Sequence, residues 1–159
     1  MSLKNMPIAK RIAQQLTSNK QTLATAESCS GGLVAHTLTN IPGSSVWFKA
    51  GVIAYAYEAK TDLLGVPKNM LQKHGAVSAP VVKAMVQGIR KRFKTDFGIS
   101  ITGIAGPTGG TKTKPVGLVF IAVASNKKTV IRYFIFKGTR LQIKKQATET
   151  ALKMLLTLL

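Results

Sequence analysis

The stretch Leu23–Gly32, LATAESCSGG, most strongly constrains how this chain can fold. An apolar, β-compatible run ends in a carboxylate, two hydroxyls that flank a thiol, and two glycines, and a helix-like pattern follows. A strand that turns through glycine into a helix brings nucleophilic side chains, an approachable backbone and helix N-terminal N–H groups to one point. The same pattern is typical of an ordinary strand-to-helix turn with a serine cap. The stretch therefore predicts an α/β unit, and both a functional and a purely structural interpretation stay open.

Helical and β-compatible segments alternate along the rest of the chain. Apolar spacing predicts helices over 4–18, 32–38, 61–64, 67–73, 78–93 and 139–156. Residues rich in β-branched and aromatic side chains predict strands over 22–26, 48–55, 97–102, 116–124 and 129–136, the last two forming a hairpin. Thr139 and Gln142 fit a capping box at the start of the last helix. This alternation predicts a layered α/β domain with a mixed five-stranded sheet.

Composition limits the classes of protein to consider. We expect residues 1–159 to form one domain, because the chain is long enough to bury a core. The first residues lack an apolar signal segment, no apolar run reaches membrane-spanning length, and one cysteine rules out an internal disulfide. We therefore expect a cytoplasmic protein with no membrane partner. Two distant histidines without a carboxylate cluster argue against a metal site.

The charge is strongly unbalanced, with 23 Lys and Arg against 5 Asp and Glu, a formal net charge of +18. Such an excess suggests a polyanionic partner. However, the lysines are spread along the chain, and no basic run is interleaved with aromatic residues. We also find no helix-turn-helix or RNA-binding signature. We therefore interpret the lysines as a solvated surface and do not expect nucleic-acid binding.

Three loops that follow predicted strands hold the residues suited to chemistry: Glu27–Gly32, Tyr55–Lys60 and Gly103–Gly110. In open α/β sheets, such loops gather around a ligand crevice. The third loop is rich in glycine but has neither the Walker A pattern nor the GxGxxG spacing. It is either an N–H cradle for a phosphate or carboxylate, or a flexible surface loop.

A serine and a lysine are the main catalytic candidates. A lysine placed like Lys60 is usually solvated, but in a crevice beside Ser28 it would lose its proton more easily and act as a base. Cys29 is the rival nucleophile. We rank it below Ser28 because no histidine is suitably placed to make it a thiolate.

Longer motifs in the chain resemble a known family. They are Thr25–Gly32, Pro42–Ser45, Gly51–Tyr55, Glu58–Lys60, Leu64–Val66, His74–Ser78, Thr102–Pro107, Gly109–Gly110 and Lys114–Gly117. Together they resemble the C-terminal domain of the CinA (competence/damage-inducible) proteins, the nicotinamide-nucleotide amidase. The resemblance implies a three-layer α/β/α sandwich, a homo-oligomer, and deamidation of nicotinamide mononucleotide without a metal or cofactor. Larger members carry a separate N-terminal domain, whose activity is not expected of these residues.

The resemblance, combined with the needs of amide hydrolysis, assigns roles to individual residues. Ser28 is the expected nucleophile and Lys60 the expected base. Glu27 or Tyr55 would orient the lysine or pass a proton to the leaving ammonia. The expected substrate-binding residues are Ser30, Gly31 and Gly32 for the oxyanion, and Thr102, Gly103, Gly106, Thr108 and Arg140 for the ribose and phosphate.

Two positions depart from the family pattern. Tyr57 stands where many relatives carry Asn, and Thr108 stands where an acidic residue is frequent. These departures support a second reading, a catalytically weak nucleotide-binding or regulatory protein that keeps the pocket. A third reading, a basic nucleic-acid-associated protein, is favoured only by the net charge.

Overall fold

A computed structural model describes residues 7–159. The helices are α1 (Ile8–Ser18), α2 (Leu33–Thr39), α3 (Tyr57–Leu64), α4 (Lys68–His74), α5 (Ala79–Phe93) and α6 (Arg140–Leu156). The strands are β1 (Leu23–Glu27), β2 (Phe48–Ile53), β3 (Phe97–Gly103), β4 (Leu118–Ala124) and β5 (Thr129–Ile135). A short 3-10 helix, Ser44–Val46, precedes β2. No helix within residues 7–159 combines the length and apolarity needed to cross a membrane.

The five strands form one mixed sheet in the order β2-β1-β3-β4-β5. Strand β1 pairs in parallel with both β2 and β3, whereas β4 pairs antiparallel with β3 and with β5. The predicted hairpin and the predicted mixed α/β sheet are therefore confirmed.

Both faces of the sheet are covered by helices, which gives the expected three-layer sandwich. Residues 23–27 of β1 are all buried, because neighbouring side chains point to opposite faces and each face meets apolar partners. Leu23 joins the core formed with α1, α2 and α6. Ala24 and Ala26 join the core formed with α3, α4 and α5.

The topology brings four strand ends to one edge of the sheet. Strands β1, β2 and β3 run in parallel, and two successive antiparallel pairings turn β5 into the same direction. Their carboxyl ends, and the start of α6 that follows β5, therefore lie at the same edge. The predicted capping box is present there, since Thr139 and Gln142 exchange hydrogen bonds that fix the start of α6.

The region around Lys60 differs from the sequence-based prediction. Strand β2 ends at Ile53 instead of Tyr55, and α3 begins at Tyr57, four residues before the predicted helix start. Glu58 in the first turn suits the positive end of the helix dipole, and Gly65 ends the helix in the left-handed conformation. Lys60 therefore lies within a helix and not at the end of a strand.

Candidate active site

Ser28 and Lys60 meet at the carboxyl edge of the sheet. Ser28 follows β1 directly, and its N–H donates to the Ile101 carbonyl (3.0 Å), which fixes the turn against β3. The Nζ atom of Lys60 lies 2.9 Å from the Ser28 Oγ atom. It also donates to the carbonyls of Ala54 (2.7 Å) and Tyr55 (3.1 Å). The lysine amine is therefore held by three oxygen atoms, of which only the serine oxygen carries a proton.

Burial makes Lys60 a credible base. Its side chain is only 1% exposed, and desolvation lowers the pKa of its amine from 10.5 to about 8, outweighing the opposite effect of Cys29. The two backbone carbonyls accept only, so they take the two N–H groups of the neutral amine. The lone pair then points to Ser28, whose hydroxyl can donate to it. The amine is therefore neutral in about one tenth of the molecules at pH 7, and its lone pair is then already directed at the serine.

Glu27 builds the turn instead of orienting the lysine. Its buried carboxylate accepts from the N–H groups of Gly32 (3.0 Å), Val34 (3.1 Å) and Ala35 (2.8 Å). These are donors that the first turn of α2 leaves without helical partners. The carboxylate has no hydrogen bond with Lys60 among residues 7–159. The expected role of Glu27 in orienting the base is therefore not what this geometry shows.

Two of the three expected oxyanion donors, Gly31 and Gly32, are engaged elsewhere. The Gly31 N–H donates to the Ser28 carbonyl (3.0 Å), and the Gly32 N–H is taken by Glu27. Both glycines have positive φ angles, +62° and +95°, which explains the glycine pair as a requirement of the turn. Ser30 is fully buried, and its Oγ atom has no partner within the described residues. By contrast, the Cys29 N–H donates to no other residue in 7–159.

Cys29 itself is a poor nucleophile. Burial raises the pKa of its thiol from 9.0 to about 12, despite partial compensation by its own backbone N–H and by Lys60. The thiolate is the reactive form of cysteine, so Cys29 is inert at neutral pH. This supports the ranking of Ser28 over Cys29.

The dyad opens into a cleft of about 250 Å³. The lining residues are Ser28, Cys29, Tyr55, Lys60, Ala76, Val77, Thr102, Gly103, Ile104, Ala105, Gly106, Thr108, Gly109 and Arg140. The structure therefore brings Ser28, Lys60 and Tyr55 together with the expected ribose and phosphate residues. Glu27, Ser30, Gly31 and Gly32 do not line the cleft.

Arg140 connects two sides of the cleft. Its guanidinium donates to the Gly106 carbonyl (2.8 Å) and to the Tyr55 hydroxyl (2.7 Å). Tyr55 therefore contacts Lys60 through its backbone carbonyl, and its side chain lies at the exposed rim with Arg140. The guanidinium has five N–H donors, so it can still bind an anion.

Ala76 and Val77 form a wall of the cleft that was not predicted from the sequence. These residues lie between α4 and α5, and Thr102 Oγ1 donates to the Ala76 carbonyl (2.9 Å), which joins this turn to β3. Gly75 and Ser78 mark the turn in the sequence. Apolar side chains in a turn carry no signal that they face a cleft.

Comparisons with known proteins define the family. Residues 5–159 match the model of the CinA C-terminal domain. The chain is 50% identical over 145 residues to a CinA-like protein of Syntrophus aciditrophicus, covering 91% of this chain and 34% of that protein. It is 49% identical over 140 residues to a putative competence-damage inducible protein of Moorella thermoacetica, covering 88% of this chain and 34% of that protein. The chain thus spans about a third of the length of these relatives.

Solved structures agree with this match. The competence/damage inducible protein CihA from Agrobacterium tumefaciens superposes with a TM-score of 0.93 at 38% identity, covering 95% of this chain and 93% of that one. A CinA superfamily protein from Escherichia coli superposes with a TM-score of 0.92 at 31% identity, covering 99% and 91%. The chain is an α/β protein that belongs to the CinA C-terminal domain family.

Proposed function

We propose that this chain is an amidohydrolase that converts nicotinamide mononucleotide and water to nicotinic acid mononucleotide and ammonia. The observation that carries the proposal is the buried Lys60 amine, 2.9 Å from the Ser28 hydroxyl at the wall of the cleft. Amide hydrolysis needs a nucleophile and a base in this relation. The reaction needs no cofactor, since these two groups and water supply every transferred atom.

The first half of the reaction acylates the serine. As Ser28 Oγ attacks the amide carbonyl carbon, its proton passes to the neutral Lys60 amine. The Cys29 N–H, next to the nucleophile in the chain, is the donor that we assign to the developing oxyanion. When the tetrahedral intermediate collapses, the Lys60 ammonium returns the proton to the leaving ammonia. The product of this half is an ester between Ser28 and the nicotinic acid moiety.

The second half hydrolyses that ester. A water molecule enters from the open side of the cleft and gives a proton to Lys60 as its oxygen attacks the ester carbonyl. Collapse of this intermediate returns the proton to Ser28 Oγ and releases the carboxylic acid. Lys60 thus serves as base and acid in turn, which a pKa of about 8 allows at neutral pH.

The rest of the cleft suits the nucleotide portion. Arg140 and the glycine-rich loop line the same cleft as the dyad, and the loop N–H groups of Gly106 and Gly109 donate to no acceptor within 7–159. A cation and free backbone donors are the groups that bind phosphate. We therefore assign the nucleotide phosphate to Arg140 and the N–H groups of this loop.

Ammonia release from nicotinamide mononucleotide by the purified protein tests the proposal, with chromatography to identify the acid product. We expect turnover by the natural protein and none by Ser28→Ala. Binding of the nucleotide without turnover would overturn the amidase proposal and favour the nucleotide-binding, regulatory alternative.

A further inference from the structure

Residues 74–78, which comprise the last residue of α4 and the turn that leads into α5, are held largely by side chains from other parts of the chain. The Tyr57 hydroxyl accepts from the Ala76 N–H (3.2 Å), and Lys114 Nζ donates to the His74 carbonyl (2.7 Å). Thr102 holds the Ala76 carbonyl, as described above. A turn has no regular backbone hydrogen-bond pattern of a helix or sheet to fix it. Its position therefore depends on these side-chain hydrogen bonds, which we call tethers.

This turn supplies a wall of the cleft, whereas two of its tethers lie outside. Ala76 and Val77 line the cleft, but Tyr57 and Lys114 do not. Tyr57 lies three residues before Lys60 on α3 and therefore shares its side of the helix. One helix thus sets the position of the base through Lys60 and that of the wall through Tyr57.

We propose that residues 74–78 form a substrate-recognition wall and that Tyr57 and Lys114 are positioning residues that hold it at the correct distance from the Ser28–Lys60 dyad. This inference rests on the proposed function and extends it. The wall presents the apolar side chains of Ala76 and Val77, which suit the aromatic ring that carries the amide. The tethers act on binding of that ring and leave proton transfer at Lys60 unchanged.

The test compares tether variants with matched controls. Tyr57→Phe removes only the hydroxyl, and Lys114→Met removes only the charged donor. Tyr133→Phe is the control for the first, because Tyr133 is exposed on β5 and does not line the cleft. Lys112→Met is the control for the second, because Lys112 is exposed in the same loop and donates to no residue in 7–159.

Steady-state kinetics with nicotinamide mononucleotide should separate positioning from catalysis. We expect each tether variant to raise KM about three- to tenfold, with kcat within about twofold and the pH profile unchanged, since one net hydrogen bond is lost. The control variants should match the natural protein. An unchanged KM, or a fall in kcat with a shifted pH profile, would overturn the inference.

Hydrogen exchange of the free protein provides a second readout that does not need turnover. The Ala76 amide should exchange faster in Tyr57→Phe than in Tyr133→Phe, and unchanged exchange would show that the tether does not hold the wall. If the natural protein releases no ammonia, the amidase proposal fails. The inference is then judged on the dissociation constant for the same nucleotide, which the tether variants must raise and the controls must not.

Discussion

Two groups of side chains that line the cleft differ in their exposure. Ser28 and Lys60 are buried, and the lysine contacts two backbone carbonyls and the serine. Arg140 and Tyr55 are exposed at the rim, and the glycine-rich loop beside them keeps unused N–H groups. Burial alters the protonation of the first group, which suits the proposed proton transfer, whereas the second group keeps its donors in contact with solvent, which suits the proposed anion site.

Replacement of Ser28, the proposed nucleophile, should have the largest effect on activity. Ser28→Ala is expected to lower kcat by at least about 10⁴-fold while the thermal transition stays in place. Cys29→Ala should keep most of the activity, because the thiol is protonated at neutral pH. Ammonia release and thermal unfolding of both variants check this. An active serine variant together with a dead cysteine variant would show that the wrong atom has been assigned.

Replacement of Lys60 should have the next largest effect on kcat. Lys60→Ala should cost about 10²- to 10⁴-fold in kcat, the usual contribution of a general base. Lys60→Arg should be equally inactive, because a guanidinium keeps its proton at any working pH. Single-turnover rates of the two variants make the comparison. An active arginine variant would mean that position 60 supplies only a fixed positive charge, and the serine–lysine mechanism would have to be abandoned.

Replacement of Glu27 tests whether this residue stabilises the turn at the site. The Glu27 carboxylate accepts three N–H hydrogen bonds. In Glu27→Gln, one of its oxygens is replaced by an NH₂ group, which cannot accept from the N–H donors at the start of α2. We expect a loss of about 3 kcal/mol in unfolding free energy. Denaturant unfolding measures this loss. The matched control is Glu149→Gln, which removes only an exposed ion pair with Lys153 and should cost less than about 1 kcal/mol. Equal losses in the two variants would contradict the supporting role of Glu27.

The sequence predicted the fold better than the site. The sequence patterns predicted the six α-helices and five strands named above, because amphipathic spacing and burial leave a local pattern, but they missed the early start of α3 and the short 3-10 helix. The Ser28–Lys60 contact joins residues that are 32 positions apart, so it was expected only once the loops were placed at one sheet edge. The role of Glu27 could not be deduced, since a carboxylate beside a candidate nucleophile suits both chemistry and helix capping. Only the three N–H contacts decide between them.

The proposed phosphate site at Arg140 can be tested by comparing ligands with and without the phosphate. Nicotinamide riboside lacks the phosphate and should bind at least about tenfold more weakly than the mononucleotide, about 1.4 kcal/mol. Arg140→Met should remove most of this difference. Tyr55→Phe is the control, because it removes the hydroxyl that Arg140 contacts and leaves the guanidinium in place. Calorimetry of both ligands measures the effect, and equal affinities for them would remove the phosphate site from the proposal.

The pH dependence of kcat/KM tests the proposed role of Lys60. Burial lowers the pKa of Lys60 to about 8, so its neutral fraction is about one tenth at pH 7 and about nine tenths at pH 9. In the proposed mechanism the neutral amine is the active form, and we therefore expect kcat/KM to rise about tenfold across this interval and then level off. A fall through the same interval would mean that the ammonium form is active and that Lys60 is not the base.

The same profile also separates Lys60 from its neighbour. Cys29 has a pKa raised to about 12 and stays protonated throughout the interval, so it cannot produce the rise. Cys29→Ala should therefore show the same apparent pKa as the natural protein. A profile that moves in this variant would assign the titration to the thiol. An unchanged profile, with activity retained, would assign it to the only buried amine that contacts Ser28 among residues 7–159.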